Sequence, residues 1–176
     1  QADLIKNELV RLGAMQGTSS KVVAGWQQVA KTLEQISQVS LVEFLQFHYA
    51  SRWKPVRASD LFESVVELLE EYQIPADRYT QELVEESARL VQLVEGDTAT
   101  WGSAANEALE EIHDVLGVKF AYPLLMAAAA RYANSPSDFE PWALRVRDFC
   151  FRYFTIGRNP LSAFSSVVTE AARKLR

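Results

Sequence analysis

Few residues in this chain are able to do chemistry. It holds two histidines and a single cysteine. Glu110 and His113 form a Glu-x-x-His pair. On a helix that spacing puts both side chains on one face, as carboxylate-bridged di-iron bundles require. Such a bundle needs a second pair and two further glutamates. The other histidine, His48, has Leu45 three residues before it, so the second pair is missing. His113 therefore reads as a surface or helix-end histidine. His48 also follows Phe44, which leaves no metal partner on its face. It reads as a packed or hydrogen-bonded side chain. Cys150 lies between Phe149 and Phe151 and reads as a buried, unreactive thiol. A lone cysteine excludes an internal disulfide and a multi-cysteine zinc site.

Serines are numerous, so composition leaves a Ser-His-Asp triad open, but no Gly-x-Ser-x-Gly elbow supports one. Gly96 and Gly102 are isolated, so no phosphate-cradling loop is present. The carboxylate pairs Glu70/Glu71, Glu85/Glu86 and Glu110/Glu111 are adjacent in sequence. Neighbours on a helix diverge by roughly 100°, so these pairs are not acid–base partners. The expectation is no catalytic residue, no metal site and no cofactor site in this stretch of chain.

Basic residues near aromatics are the better candidates. Arg52, Trp53, Lys54 and Arg57 fall between two helical stretches. Arg145, Arg147, Arg152 and Arg158 lie on or just after a third. Two readings stay open. Arg52, Lys54, Arg57, Arg145, Arg152 and Arg158 contact nucleic-acid phosphates while Trp53 stacks on a base. Alternatively Arg145, Asp148 and Arg152 are a solvated or ion-paired helix face, and Trp53 covers the core. The net charge of −5 is unevenly spread. Residues 1–57 balance to +3, residues 58–114 to −13 and residues 131–176 to +4. An acidic middle repels DNA, whereas the flanks attract it. The plainer reading makes the acidic run the wet face of two helices.

These residues must be positioned by helices, because the apolar period is helical almost throughout. Start and stop signals give about nine helices. The first runs near Ala2–Leu12 and stops at Gly13. The second, near Ser20–Ile36, carries Val22, Val23, Trp26, Val29, Ala30 and Leu33 on one stripe. Ser40 with Glu43 and Asp60 with Glu63 are reciprocal capping pairs opening the third and fourth helices. Pro75 starts the fifth, whose apolar stripe is Tyr79, Leu83, Ala88, Leu90, Val91 and Val94. The sixth spans Ser103 to just before Gly117, and the seventh is the alanine-rich Phe120–Ala133 with Pro123 in its first turn. Ser137 with Glu140 caps the eighth, which sets Trp142, Val146, Phe149, Cys150 and Tyr153 on one face and ends at a left-handed Gly157. Asn159-Pro160 opens the ninth.

A chain of 176 residues, 48% hydrophobic, can bury roughly 70% of its unfolded surface without a covalent staple. Short connections point to one compact all-α bundle. Residues 1–13 read as the tail of a preceding domain or as a first helix, and 14–176 as a helical domain. Gln1 in place of Met, with no leader after it, reads as a cut or processed end. The longest apolar stretch, Phe120 to Ala130, is broken by Pro123 and too short to span a bilayer. No membrane partner and a cytoplasmic location are expected.

Several short motifs, in order, resemble a known family. Ala2-Asp3-Leu4-Ile5-Lys6-Asn7 resembles the segment closing the ParB/sulfiredoxin-like N-terminal domain of GmrSD-type restriction enzymes. The helical region that follows in that family is similar at Trp26, Phe44-Leu45 through Tyr49, Leu61-Phe62, Tyr122-Pro123-Leu124-Leu125, and Arg152 through Ile156-Gly157. Residues 96–117 contribute little. The resemblance implies a parent protein in bacterial defence against foreign or modified DNA, a nucleotide-dependent endonuclease. Its Asp-Gly-Gln-Gln-Arg-like motif and His-Asn-His-type nuclease motif do not occur here, so no catalytic residue carries over. What the resemblance implies for this chain is a scaffold that joins and orients flanking domains. DNA or a second copy would be a further partner. A nucleic-acid-binding module and a protein-interaction or dimerisation module are the rival readings.

Overall fold

The structure is a computed structural model and describes residues 1–176, apart from the side chain of residue 162. Among the described residues are ten α-helices and no strand. They are α1 (Ala2–Met15), α2 (Ser19–Leu33), α3 (Leu41–Ala50), α4 (Leu61–Glu71), α5 (Ala76–Glu95), α6 (Thr98–Trp101), α7 (Ser103–Glu110), α8 (Tyr122–Arg131), α9 (Pro136–Cys150) and α10 (Leu161–Leu175). This is the all-α bundle implied by the periodicity. No helix is long and apolar enough to cross a membrane. Within the bundle, contacts cluster into two compact units. Short loops fix neighbours along the chain, and that division is not written in loop length.

The first unit comprises Gln1–Tyr49 and Val56–Ala88. In it α1 packs on α2 and α4 through the buried Ile5 and Leu9. Of the α2 stripe read from the sequence, Val22, Trp26, Val29 and Leu33 are buried, and Val23 and Ala30 are half-buried. Gly25 lets α2 approach α5 closely, since a Cβ built there would lie 2.6 Å from Thr80 Cγ2. The Ser40–Glu43 cap forms in both directions. The Ser40 amide donates to Glu43 Oε2 at 2.8 Å, and the Glu43 amide donates to Ser40 Oγ at 3.2 Å. The second expected cap does not form. Asp60 accepts a 2.7 Å hydrogen bond from the Ser59 hydroxyl, and α4 is entered through a tight turn at Ala58–Asp60. On α5 the buried face includes Thr80, Glu86 and Ser87, while Ala88 is exposed. The hydroxyls of Thr80 and Ser87 donate to carbonyls of their own helix, Ala76 at 2.7 Å and Val84 at 2.8 Å, which lets polar residues share an apolar face. Glu86 is thus an exception to the solvated reading of the acidic run.

The second unit comprises Ala50–Pro55 and Arg89–Arg176. Here α8 packs on α9 and α10, and α7 on α9. Residues 121–129 are all buried, so α8 has no wet side over that span. Phe149 stacks on Phe164 at 5.4 Å and Phe154 meets the same ring at 4.7 Å, joining α9 and its continuation to α10. The short α6 has no counterpart in the sequence reading. The Asp97 side chain caps it by accepting from the Thr100 amide at 3.1 Å.

Three expectations fail locally. Ser135, not Ser137, precedes the eighth expected helix, because Pro136 takes its first position. Two stretches widen into π-helix, Glu111–Val115 and Phe151–Ile156. Their signature bonds run from the Leu116 amide to Glu111 O at 2.9 Å and from the Gly157 amide to Arg152 O at 2.8 Å. The second wide turn carries Gly157 on in a right-handed conformation, φ −78° and ψ −20°. The left-handed residue is Arg158, φ +50°.

Candidate functional site

The basic candidates do not fall in one element. Arg52 and Trp53 are half-buried and Lys54 is exposed, all in the segment after α3 that belongs to the second unit. Arg57 is exposed and belongs to the first. Arg145 projects from α9, Arg152 lies in the π turn that continues it, and Arg158 follows; all three are exposed. No ion pair among the described residues engages Arg145, Arg152 or Arg158. The arginine bound to acids on this helix is Arg147, which lies 2.8 Å from Asp148 Oδ1 and 3.6 Å from Glu111 Oε2. Those two carboxylates hold its guanidinium above its ordinary pKa, the hydrogen bond to Asp148 contributing most.

The two π turns flank a groove of about 530 Å³ lined by Glu111, Val115, Leu116, Arg147, Asp148 and Phe151. Val115 is 74% exposed and Phe151 47%. Wide helical turns are frequent at functional sites because they turn side chains off the regular α stripe. Sequence periodicity misses this groove, since an α reading of 111–116 and 151–156 gives other faces.

His113 is a helix-end histidine, one of its two expected readings, but it does not lie open on the surface. It sits half-buried in the first π turn with Nδ1 2.9 Å from the Tyr122 hydroxyl. Burial raises the Tyr122 phenol above its ordinary value, and Asp114 adds to the shift. The other ring nitrogen of His113, Nε2, lies 3.5 Å from Asp114 Oδ1. Glu110 takes no part. His48 is fully buried, edge-on to Tyr79 at 5.4 Å and tilted to Phe44 at 6.3 Å, the packed histidine read from its apolar neighbours. Cys150 is buried, and burial pushes its thiol up to about 12. Among the described residues no three His, Cys, Asp or Glu side chains come together to hold a metal ion.

No family model, no curated protein and no solved structure matches this chain.

Proposed function

We propose that this chain is the helical scaffold and coupling domain of a GmrSD-type DNA-defence protein of the cytoplasm, with no active site of its own. The observation that supports this reading is the burial of many of the residues that resemble that family. Trp26, Phe44, Leu45, Tyr49, Leu61, Tyr122, Pro123, Leu124 and Leu125 are all buried. Apart from the largely exposed Ala2–Asn7 and Arg152–Gly157 stretches, these motifs are packing positions within each unit, and packed helices of this kind can carry a two-state change between flanking domains. Its partners would be those flanking domains.

Two experiments test it. The reading frame upstream of the Gln1 codon should encode an Asp-Gly-Gln-Gln-Arg-like segment, and its absence there overturns the family reading. The isolated chain, supplied with nucleotide and divalent metal, should neither hydrolyse nucleotide nor cut DNA. Turnover by the purified chain overturns the scaffold reading.

The exposed Arg145, Arg152 and Arg158, unengaged by acids, favour a second reading, in which this unit also grips phosphates. DNA retention with a steep salt slope, weakened by charge reversal at Arg152 and Arg158, supports it. Absence of binding at low salt removes it.

A further inference from the structure

We infer that the groove between the two π turns is a self-association surface, which receives the Ile156 end of the second π turn from another copy of this chain. Three observations meet there. The groove is apolar at its floor and flanked by the wide turns at Glu111–Val115 and Phe151–Ile156. Its rim is acidic, since Glu111 and Asp148 share the single guanidinium of Arg147, and Asp114 is exposed nearby in sequence. The same unit presents a knob of the opposite character. Ile156 is 67% exposed and stands between the exposed and unengaged Arg152 and Arg158.

An apolar groove with surplus negative charge and an apolar knob with surplus positive charge are complementary. Both are carried by one chain, joined through the six residues Phe151–Ile156. A twofold pair therefore buries two grooves and two knobs at once, the arrangement a self-complementary interface needs. Apolar side chains at the centre supply affinity, and the ionic rim supplies orientation and rate. The left-handed Arg158 follows the wide turn, and Ile156 and both arginines are exposed. This inference stands independently of the proposed scaffold role.

The test is sedimentation equilibrium of the 176-residue chain over a broad concentration range at low and high salt. A concentration-dependent dimer is expected, weaker at high salt. Ile156→Asp or Val115→Asp should each weaken it roughly 30-fold or more, the scale of an interface hot spot. Both side chains are exposed, so the fold tolerates them. The charge reversal Glu111→Arg with Asp148→Arg should weaken the dimer, and adding Arg152→Glu with Arg158→Glu in the same chain should restore it. A monomer at every concentration overturns the inference. So does a dimer that these substitutions leave unchanged, or a charge reversal that the second pair does not rescue.

Discussion

Ser40 and Glu43 close the amino end of α3 upon each other. Each side chain accepts from the other residue's backbone amide, at 2.8 and 3.2 Å. The Ser40 hydroxyl also donates to Glu43 Oε2 at 2.8 Å. Ser40→Ala removes the N-cap acceptor and leaves a first-turn amide to water. It should cost about 1 kcal/mol in urea denaturation. Thr at this position should restore most of the loss.

The contact between Gly25 and Thr80 predicts a paired effect. Gly25→Ala gains helix propensity but sets a methyl against Thr80 Cγ2. The clash dominates, because overpacking a closed contact costs about 1–3 kcal/mol. Thr80→Ser deletes Cγ2 and keeps a hydroxyl able to donate to Ala76 O. The double variant should therefore melt above Gly25→Ala alone, and additive losses in the double-mutant cycle would contradict the contact.

Much of this was legible in the sequence for a simple reason: caps, prolines and apolar stripes act within a few residues. Ser40 with Glu43, the α2 stripe and the Phe-flanked Cys150 are local signals, and each is realised. The failures come from contacts distant in sequence. Residues 111–115 wind as π-helix where α7 and its continuation pack on α9, a contact distant in sequence that periodicity does not encode. The buried Glu86 follows from its place on the largely apolar face that it shares with Thr80 and Ser87. Of the candidate site, the individual arginines were readable, whereas the groove beside Arg147 depends on the wide turns.

Tyr122 predicts a dependence on alkaline pH. Its phenol is raised above the ordinary value of 10.0 by burial, so folding favours the protonated form. The unfolded chain releases this proton first as pH rises. Stability associated with Tyr122 is present below the ordinary tyrosine value and is lost as pH climbs above it toward the raised folded value. Ultraviolet titration should show a phenol that ionises late and only with unfolding. Tyr122→Phe should remove that phase, and an unchanged titration curve would contradict the assignment.

Cys150 should resist thiol reagents in the native chain at neutral pH. Burial both blocks access and keeps the thiol protonated, with its pKa raised to about 12. Labelling with a chromogenic disulfide should be slow in buffer and complete in guanidinium. Rapid native labelling would mean that α9 opens locally.

The span 121–129, which covers most of α8 and is buried on every side, has a further consequence. Backbone amides there reach solvent only when the surrounding helices part, so their deuterium uptake reports the opening of the second unit and not fraying of a single helix. In a mass-resolved exchange experiment this peptide should be the last of its unit to gain mass. Its rate gives a direct readout of how cooperatively that unit holds together.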